Sequence, residues 1–124
     1  MKVTELSGAL LDYWVARAEN LRVQMIDIGR DRGFRPHIFI DTANRKDIPR
    51  IYSPTLDWTE AGPIIERERI ALWYTQGQWE ASAGSPVHAI EISGPEGRGS
   101  TPLVAAMRAF VRQKFGKEVP ENSA

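Results

Sequence analysis

Hydrophobic residues recur at intervals of three and four near the start of the chain. Over residues 8–19 this spacing places Leu11, Trp14 and Val15 on one face of a helix and Asp12 on the opposite, polar face. A helix with one apolar face packs that face against the body of a domain. We therefore predict an amphipathic helix here, with Trp14 as a core anchor.

A second amphipathic pattern lies near the end of the chain. Thr101 is a favourable N-cap, Pro102 suits the first helical position, and Gly116 is a typical helix terminator. Between them, Met107 and Phe110 belong to one apolar face. These residues predict the best-defined helix of the chain.

β-Branched and alternating runs between the two helices are typical of strands. We predict strands at residues 23–28, 37–41, 70–74, 78–82 and 87–93. Gln76-Gly77 predicts a tight hairpin turn, and Trp73 and Trp79 are offset on the two strands beside it. The polar residues 42–51 and the glycine-rich residues 94–99 are predicted loops.

This order of elements predicts a single α+β domain over residues 1–117, with a flexible tail over residues 118–124. The expected architecture is an α/β/α-type sandwich. It has an antiparallel or mixed sheet of about five strands, packed by the N-terminal and C-terminal helices. The predicted core contains Trp14, Ile65, Ile90, Met107 and Phe110.

The most distinctive stretch covers residues 52–67. Asp57 is a candidate N-cap of another helix, and Glu60 completes a variant of the capping box. Trp58 begins an apolar stripe at helical spacing. Pro63 either kinks this helix or occupies the first position of a shorter one that follows a turn.

Five residues of this stretch form a candidate interaction or scaffold motif: Tyr52, Asp57, Trp58, Glu66 and Arg67. In the structural interpretation they supply a helix cap, a buried aromatic ring and an ion pair. In the functional interpretation they form a binding surface. We favour the structural interpretation, because capping and ion pairing explain these residue types without a ligand.

Composition narrows the classes of function. The 124 residues contain no cysteine, which excludes disulfides and thiolate chemistry and is typical of a reducing, cytoplasmic environment. The formal net charge is zero, so no overall field attracts the chain to nucleic acid or anionic lipid. No apolar run reaches the length of a membrane helix, and no membrane association is expected.

The sequence contains no recognisable catalytic or metal-binding pattern. His37 and His88 are far apart and belong to no histidine motif, and no nucleophile elbow is present. Glycine-rich residues 94–101 lead into a helix but lack a phosphate-loop pattern, which favours a structural turn. We therefore expect no catalytic centre, cofactor or metal, although an enzyme of unknown reaction stays a third alternative.

Basic side chains concentrate within residues 30–50. The candidate nucleic-acid contacts are Arg30, Arg32, Arg35, Arg45, Lys46 and Arg50. Asp31, Asp41 and Asp47 lie among them and leave a small local excess of positive charge. This small excess supports weak, salt-sensitive binding of nucleic acid as a second hypothesis. We favour the alternative that these are basic loop residues exposed to solvent, without a ligand.

Four segments resemble the NinX-like proteins of phages and prophages. They are LDYWVA at residues 11–16, YSP with DW at residues 52–58, GPIIER at residues 62–67, and TPLVAAMR at residues 101–108. They occur in the family's order across nearly the whole chain, whereas residues 29–50 are longer and richer in arginine than the family pattern.

The resemblance implies a bacterial or prophage origin and an α/β/α-type sandwich. It implies no activity, because the family has no established catalytic residues to transfer. The leading hypothesis is a non-enzymatic accessory protein that interacts with an unknown protein partner from phage or host.

Overall fold

A computed structural model describes residues 1–29, 32–40, 48–84 and 94–120. After a short 3-10 turn at Val3–Glu5, the helices are α1 (Gly8–Ala18), α2 (Trp58–Arg67) and α3 (Pro102–Phe115). The strands are β1 (Val23–Asp27), β2 (Phe34–Ile40), β3 (Ile48–Ile51), β4 (Ile70–Thr75), β5 (Gln78–Ala83) and β6 (Gly97–Gly99). The predicted strand at residues 87–93, with His88 and Ile90, lies outside the described residues.

The first sheet has the order β1-β2-β3 and is antiparallel throughout. Strands β1 and β2 form an antiparallel hairpin, with Asp27 opposite Phe34 at its closed end. The loop prediction for residues 42–51 is wrong where β3 forms. Pro49 cannot donate a backbone hydrogen bond, but β3 is an edge strand of the described sheet, where a proline is tolerated.

The second sheet has the order β4-β5-β6 and is also antiparallel. The predicted hairpin turn is confirmed, and Gln76 and Gly77 both have positive φ angles, of 50° and 86°. Both central residues of a type I′ turn require such angles. Across the hairpin, Trp79 contacts Tyr74 edge-on at 5.4 Å between ring centroids, whereas Trp73 donates a hydrogen bond to Glu80.

The prediction of one sheet of about five strands is wrong, because the described strands form two separate three-stranded sheets. Helix α3 packs against all three strands of the second sheet and against α1, and α1 also contacts β1 and β2 of the first sheet. The two helices therefore connect the two sheets. The α+β class is confirmed, but helices do not simply cover a central sheet.

The loop prediction for residues 94–99 is wrong at Gly97–Gly99, which form strand β6, whereas residues 94–96 lie outside any helix or strand. An ideal Cβ on Gly97 would lie 2.1 Å from the carbonyl oxygen of Ala105, and one on Gly99 would lie 2.6 Å from a methyl carbon of Val104. Glycine at both positions thus allows the strand to contact α3 at backbone distance.

Helix α1 is enclosed more completely than its sequence pattern predicts. Six consecutive residues, Leu11 to Ala16, are all buried, and they include Asp12. The expected polar face of α1 is therefore wrong at Asp12, since α3 packs on one side of α1 and the first sheet on another. After the helix, Glu19 is the C-cap and Asn20 adopts a left-handed conformation.

The predicted core agrees with the structure at Trp14, Met107 and Phe110, which are all buried, and Ile65 is half-buried against them. At the termini, the Met1 ammonium donates to the carbonyl oxygen of Val119 at 2.7 Å. Val119 itself is buried. Val119 thus packs against the hydrophobic core.

Candidate functional site

The distinctive stretch begins where β3 leaves the first sheet. The backbone amide of Tyr52 donates to the carbonyl oxygen of Pro36 on β2 at 2.9 Å. The Tyr52 ring is buried, and burial raises the pKa of its phenol, with the negative charges of Glu19 and Glu60 adding to that effect. Tyr52 therefore anchors the chain between β3 and α2 as a neutral, largely enclosed side chain.

Asp57 begins α2 as predicted. Its carboxylate accepts a hydrogen bond from the backbone amide of Thr59 at 2.9 Å, which confirms the N-cap. Glu60 does not return to the Asp57 amide as a capping box requires. Instead it accepts from the Ser53 amide at 2.7 Å and pairs with Arg50, so it binds the preceding turn to α2.

Helix α2 continues through Pro63 as one helix, which decides between the two predicted arrangements. Its buried face is set by Ala61 and Ile64. At 100° per residue Trp58 lies about 120° from Ile64, and its side chain is 54% exposed. The prediction that Trp58 belongs to the inward stripe is wrong, and Tyr52 is the buried aromatic residue of this stretch.

Arg67 forms the ion pair of the motif. Its guanidinium contacts both carboxylate oxygens of Glu19, the C-cap of α1, at 2.6 and 3.1 Å, and Glu68 at 2.7 Å. It also lies over the ring of Phe110 on α3 at 5.8 Å. Hydrogen bonds to Glu19 and Glu68 raise the pKa of Arg67. This residue therefore holds the end of α2 against both other helices, while Glu66 is exposed.

A cleft of about 360 Å³ lies beside Tyr52, between the start of α1, strand β2 and the turn before α2. Asp12 lies in its wall and accepts a hydrogen bond from the Thr55 amide at 2.9 Å. Burial raises the pKa of Asp12 to about 6, and its bonds to Thr55 oppose that shift. Arg35 also lines the cleft and slightly favours the charged carboxylate.

Large apolar side chains surround the mouth of this cleft. Leu56 is 83% exposed and Ile51 is 46% exposed, and both line it. Trp58 follows two residues after Leu56. Sequence analysis identified neither Leu56 nor Asp12. Leu56 lies in a turn without periodicity, and Asp12 occupies what the helical pattern marks as a polar face, so no sequence signal was available for either.

The predicted basic segment is only partly described. Arg32 and Arg35 are exposed, and Arg50 is exposed but bound to Glu60 and to the carbonyl oxygen of Ile51. The other members, Arg30, Arg45 and Lys46, lie outside the described residues. The structure thus places Arg35 at the cleft and gives Arg50 a structural contact.

The four segments of the resemblance now have structural positions. They form the buried part of α1, the turn and cap before α2, the rest of α2, and the first half of α3. The profile of the family described as Bacteriophage P22, NinX matches residues 2–114. The chain belongs to this NinX family.

The resemblance found in the sequence is therefore confirmed, and all four segments of this NinX family member lie within the matched range. A search among curated proteins gives no match. Within residues 1–29, 32–40, 48–84 and 94–120, no three His, Asp or Glu side chains form a group able to hold a metal ion. No helix in that part of the chain is long and apolar enough to cross a membrane.

Proposed function

We propose that this NinX family member is a non-enzymatic accessory protein of a phage or prophage, which binds another protein in the bacterial cytoplasm. The observation that supports this most directly is a pair of large exposed apolar side chains, Leu56 at the Asp12 cleft and Trp58 at the start of α2. Leu56 is 83% exposed and Trp58 is 54% exposed, and hydrogen bonds of the Tyr52 amide and the Glu60 carboxylate fix the backbone of the turn before them. Large exposed side chains on a fixed scaffold are typical of protein-binding surfaces.

The cleft also indicates the chemistry of the partner. Ile51 and Leu56 supply apolar contacts, and the exposed Arg35 supplies a positive charge at the same cleft. A complementary segment would present an apolar side chain next to an acidic one. We therefore propose a peptide segment of this kind as the occupant, with a buried apolar anchor and a charge pair at the rim.

The test begins with capture of partners from phage-infected or prophage-carrying cells by the wild-type chain. The same capture is done with Leu56→Asp and with Trp58→Ala. The matched control is Tyr74→Ala, because Tyr74 is 61% exposed but lies on β4, outside the cleft lining. Binding of a captured partner is then measured with purified proteins.

We expect Leu56→Asp and Trp58→Ala each to weaken the affinity for the partner at least about tenfold, and the control to retain the wild-type affinity. Capture that is equally strong with Leu56→Asp and Trp58→Ala would refute this surface as the binding site. Circular dichroism of each variant establishes that its fold is unchanged.

A catalytic role for the cleft is the competing candidate, because a carboxyl with a pKa near 6 is suited to general acid–base chemistry. Against it, the Asp12 side chain is 3% exposed and already accepts the Thr55 amide, so it has a structural partner. Asp12→Asn separates the two roles. It retains an acceptor for Thr55 and should retain partner binding, whereas a catalytic function would be lost.

Nucleic-acid binding through the arginines is the remaining candidate. If the protein is a protein-binding accessory protein, its dissociation constant for DNA or RNA of mixed sequence should be about 10⁻⁴ M or weaker at physiological salt. That value is the weak end of the range for non-specific binders. Labelled single-stranded and double-stranded oligonucleotides are titrated at two salt concentrations. Micromolar binding that weakens with salt and in an Arg30, Arg32 and Arg35 alanine variant would favour nucleic acid instead.

A further inference from the structure

A larger cavity, of about 750 Å³, lies away from the Asp12 cleft, between the N-terminal turn, strand β6 and the second half of α3. Five cationic residues line it: Lys2, Arg98, Arg108, Arg112 and Lys117. The lining contains two carboxylates, Glu96 and Glu118. Such a volume is within the usual range for small-ligand pockets, about 300–1,000 Å³.

The charge of this cavity differs from that of the whole chain. The protein has 16 basic and 16 acidic residues and no net charge, whereas five cations and two carboxylates line the cavity. A concave surface lined by one sign of charge concentrates its field and attracts small ions of opposite sign. The imbalance therefore indicates an anionic ligand.

Some of the charged side chains that line the cavity already have partners in the protein. The guanidinium of Arg98 bonds Glu80 at 3.0 Å, and the Glu96 carboxylate accepts from the Ser82 hydroxyl at 2.8 Å and from the Ala83 amide at 2.9 Å. In the part of the chain that the structure describes, Lys2, Arg112 and Lys117 form no ion pair. These three cations are available to a ligand.

Arg108 is the fixed element of the cavity. Its Nε donates to the carbonyl oxygen of Leu6 at 2.9 Å, and its Nη1 donates to the carbonyl oxygen of Arg98 at 2.6 Å. Two carbonyl groups orient the guanidinium without neutralising its charge, and other N–H groups of the fork stay available. Its half-buried position disfavours the charged form and lowers the pKa of Arg108, an effect that a bound anion would offset.

We propose that this cavity binds a small ligand through a phosphate or diphosphate group, held by Arg108 with Lys2, Arg112 and Lys117 around it. A planar guanidinium matches phosphate oxygens in pairs, and the flanking cations balance a multiply charged anion. A concave volume of about 750 Å³ matches a small molecule better than an extended nucleic-acid strand. This site is independent of the protein-binding surface proposed at the Asp12 cleft.

The test is isothermal titration of the full chain with inorganic phosphate, with pyrophosphate and with a nucleoside diphosphate, at low ionic strength. Because Arg108 supports Leu6 and β6, its substitution is also a risk to folding. The informative variant is therefore Arg112→Gln/Lys117→Gln. Its matched control, Arg32→Gln/Arg69→Gln, removes the same two positive charges from exposed positions outside the cavity.

We expect saturable one-to-one binding of pyrophosphate or the nucleoside diphosphate, weakened at least about tenfold in Arg112→Gln/Lys117→Gln and less than about threefold in the control. Amide chemical shifts should change at residues 2–4, 97–98 and 108–117. Absence of saturable binding by all three probes, or equal weakening in both double variants, would overturn the proposal. So would binding of oligonucleotides that pyrophosphate does not displace.

Discussion

Replacement of Gly97 by alanine places a methyl group inside the backbone of α3. An ideal Cβ at this position would lie 2.1 Å from the carbonyl oxygen of Ala105 and 2.6 Å from the amide nitrogen of Ala109. Ordinary van der Waals contact begins at 3.4 Å, so the nearer atom is about 1.3 Å too close. Because both obstacles are backbone atoms, no side-chain rotation can relieve the overlap.

The expected loss of stability follows from what must move. Helix α3 packs on β4, β5 and β6 and on α1, so a displacement of about 1 Å disturbs the packing of most of the core. Overpacking in cores typically costs about 1–3 kcal/mol. We expect the loss for Gly97→Ala to lie at the upper end of this range, about 3 kcal/mol. A typical domain is stable by only about 5–15 kcal/mol, so this is a large fraction of the total.

Gly62→Ala is the matched control. Gly62 lies inside α2, and apart from its chain neighbours and the helix's own backbone an added Cβ would meet nothing within 4 Å. Alanine is favoured over glycine in a helix by about 0.5–1 kcal/mol, but its Cβ would be crowded by the ring of Pro63, so the two effects oppose each other and the net change in stability should be within about 1 kcal/mol. Urea unfolding followed by circular dichroism and tryptophan fluorescence measures both variants.

Gly97→Ala should therefore lower the free energy of unfolding by much more than Gly62→Ala changes it. A loss below about 0.5 kcal/mol for Gly97→Ala, or one no larger than that of Gly62→Ala, would refute the close contact between β6 and α3.

Three further predictions concern charged groups. Asp57→Ala should lower the free energy of unfolding by about 1 kcal/mol through loss of the α2 cap, as measured by urea unfolding; no loss would contradict that role. The pKa of Asp12 is raised from 3.8 to about 6, so the folded state binds the proton more tightly and stability should fall by up to about 3 kcal/mol between pH 4 and pH 6, then level off. Asp12→Asn retains an acceptor for Thr55 and should lack this fall, so an unchanged pH profile would exclude Asp12 as its source. A double-mutant cycle between Arg67 and Glu19 should give a coupling of no more than about 1 kcal/mol that weakens in 1 M salt, because both side chains are partly exposed; a larger, salt-independent coupling would contradict this.

Local chemistry made several elements of this chain predictable. Thr101 accepts the Val104 amide at 3.1 Å, Pro102 starts α3, and Gly116 ends it at a φ of 88°. Asp57 caps α2, and Gln76-Gly77 forms its turn. Each of these depends on hydrogen bonds or backbone angles within a few residues, so a short stretch of sequence determines it. The four segments that resemble the NinX family can likewise be recognised directly in the sequence.

The candidate sites could not be predicted from the sequence. The Asp12 cleft combines α1, β2 and the turn before α2, and Thr55 is 43 residues from the carboxylate it contacts. The cavity proposed to bind phosphate is lined by residues from both the start and the end of the chain, and its fixed guanidinium, Arg108, bonds Leu6 at a sequence separation of 102. Arginines outside the predicted basic segment supply its charge. Clusters assembled from distant segments leave no local pattern.

The sequence by itself determined α1, α3, the Gln76-Gly77 turn and the α+β class, because these follow from periodicity, capping and turn chemistry over short distances, and its four characteristic segments indicated the family. Only the tertiary structure decided that the described strands divide into two sheets, that Asp12 is buried and that Trp58 is exposed. The physical reason is visible at Gly97, where the glycines that suggest a loop instead let a strand approach α3 at backbone distance. Burial depends on which surfaces meet, and that is a property of the whole packed chain.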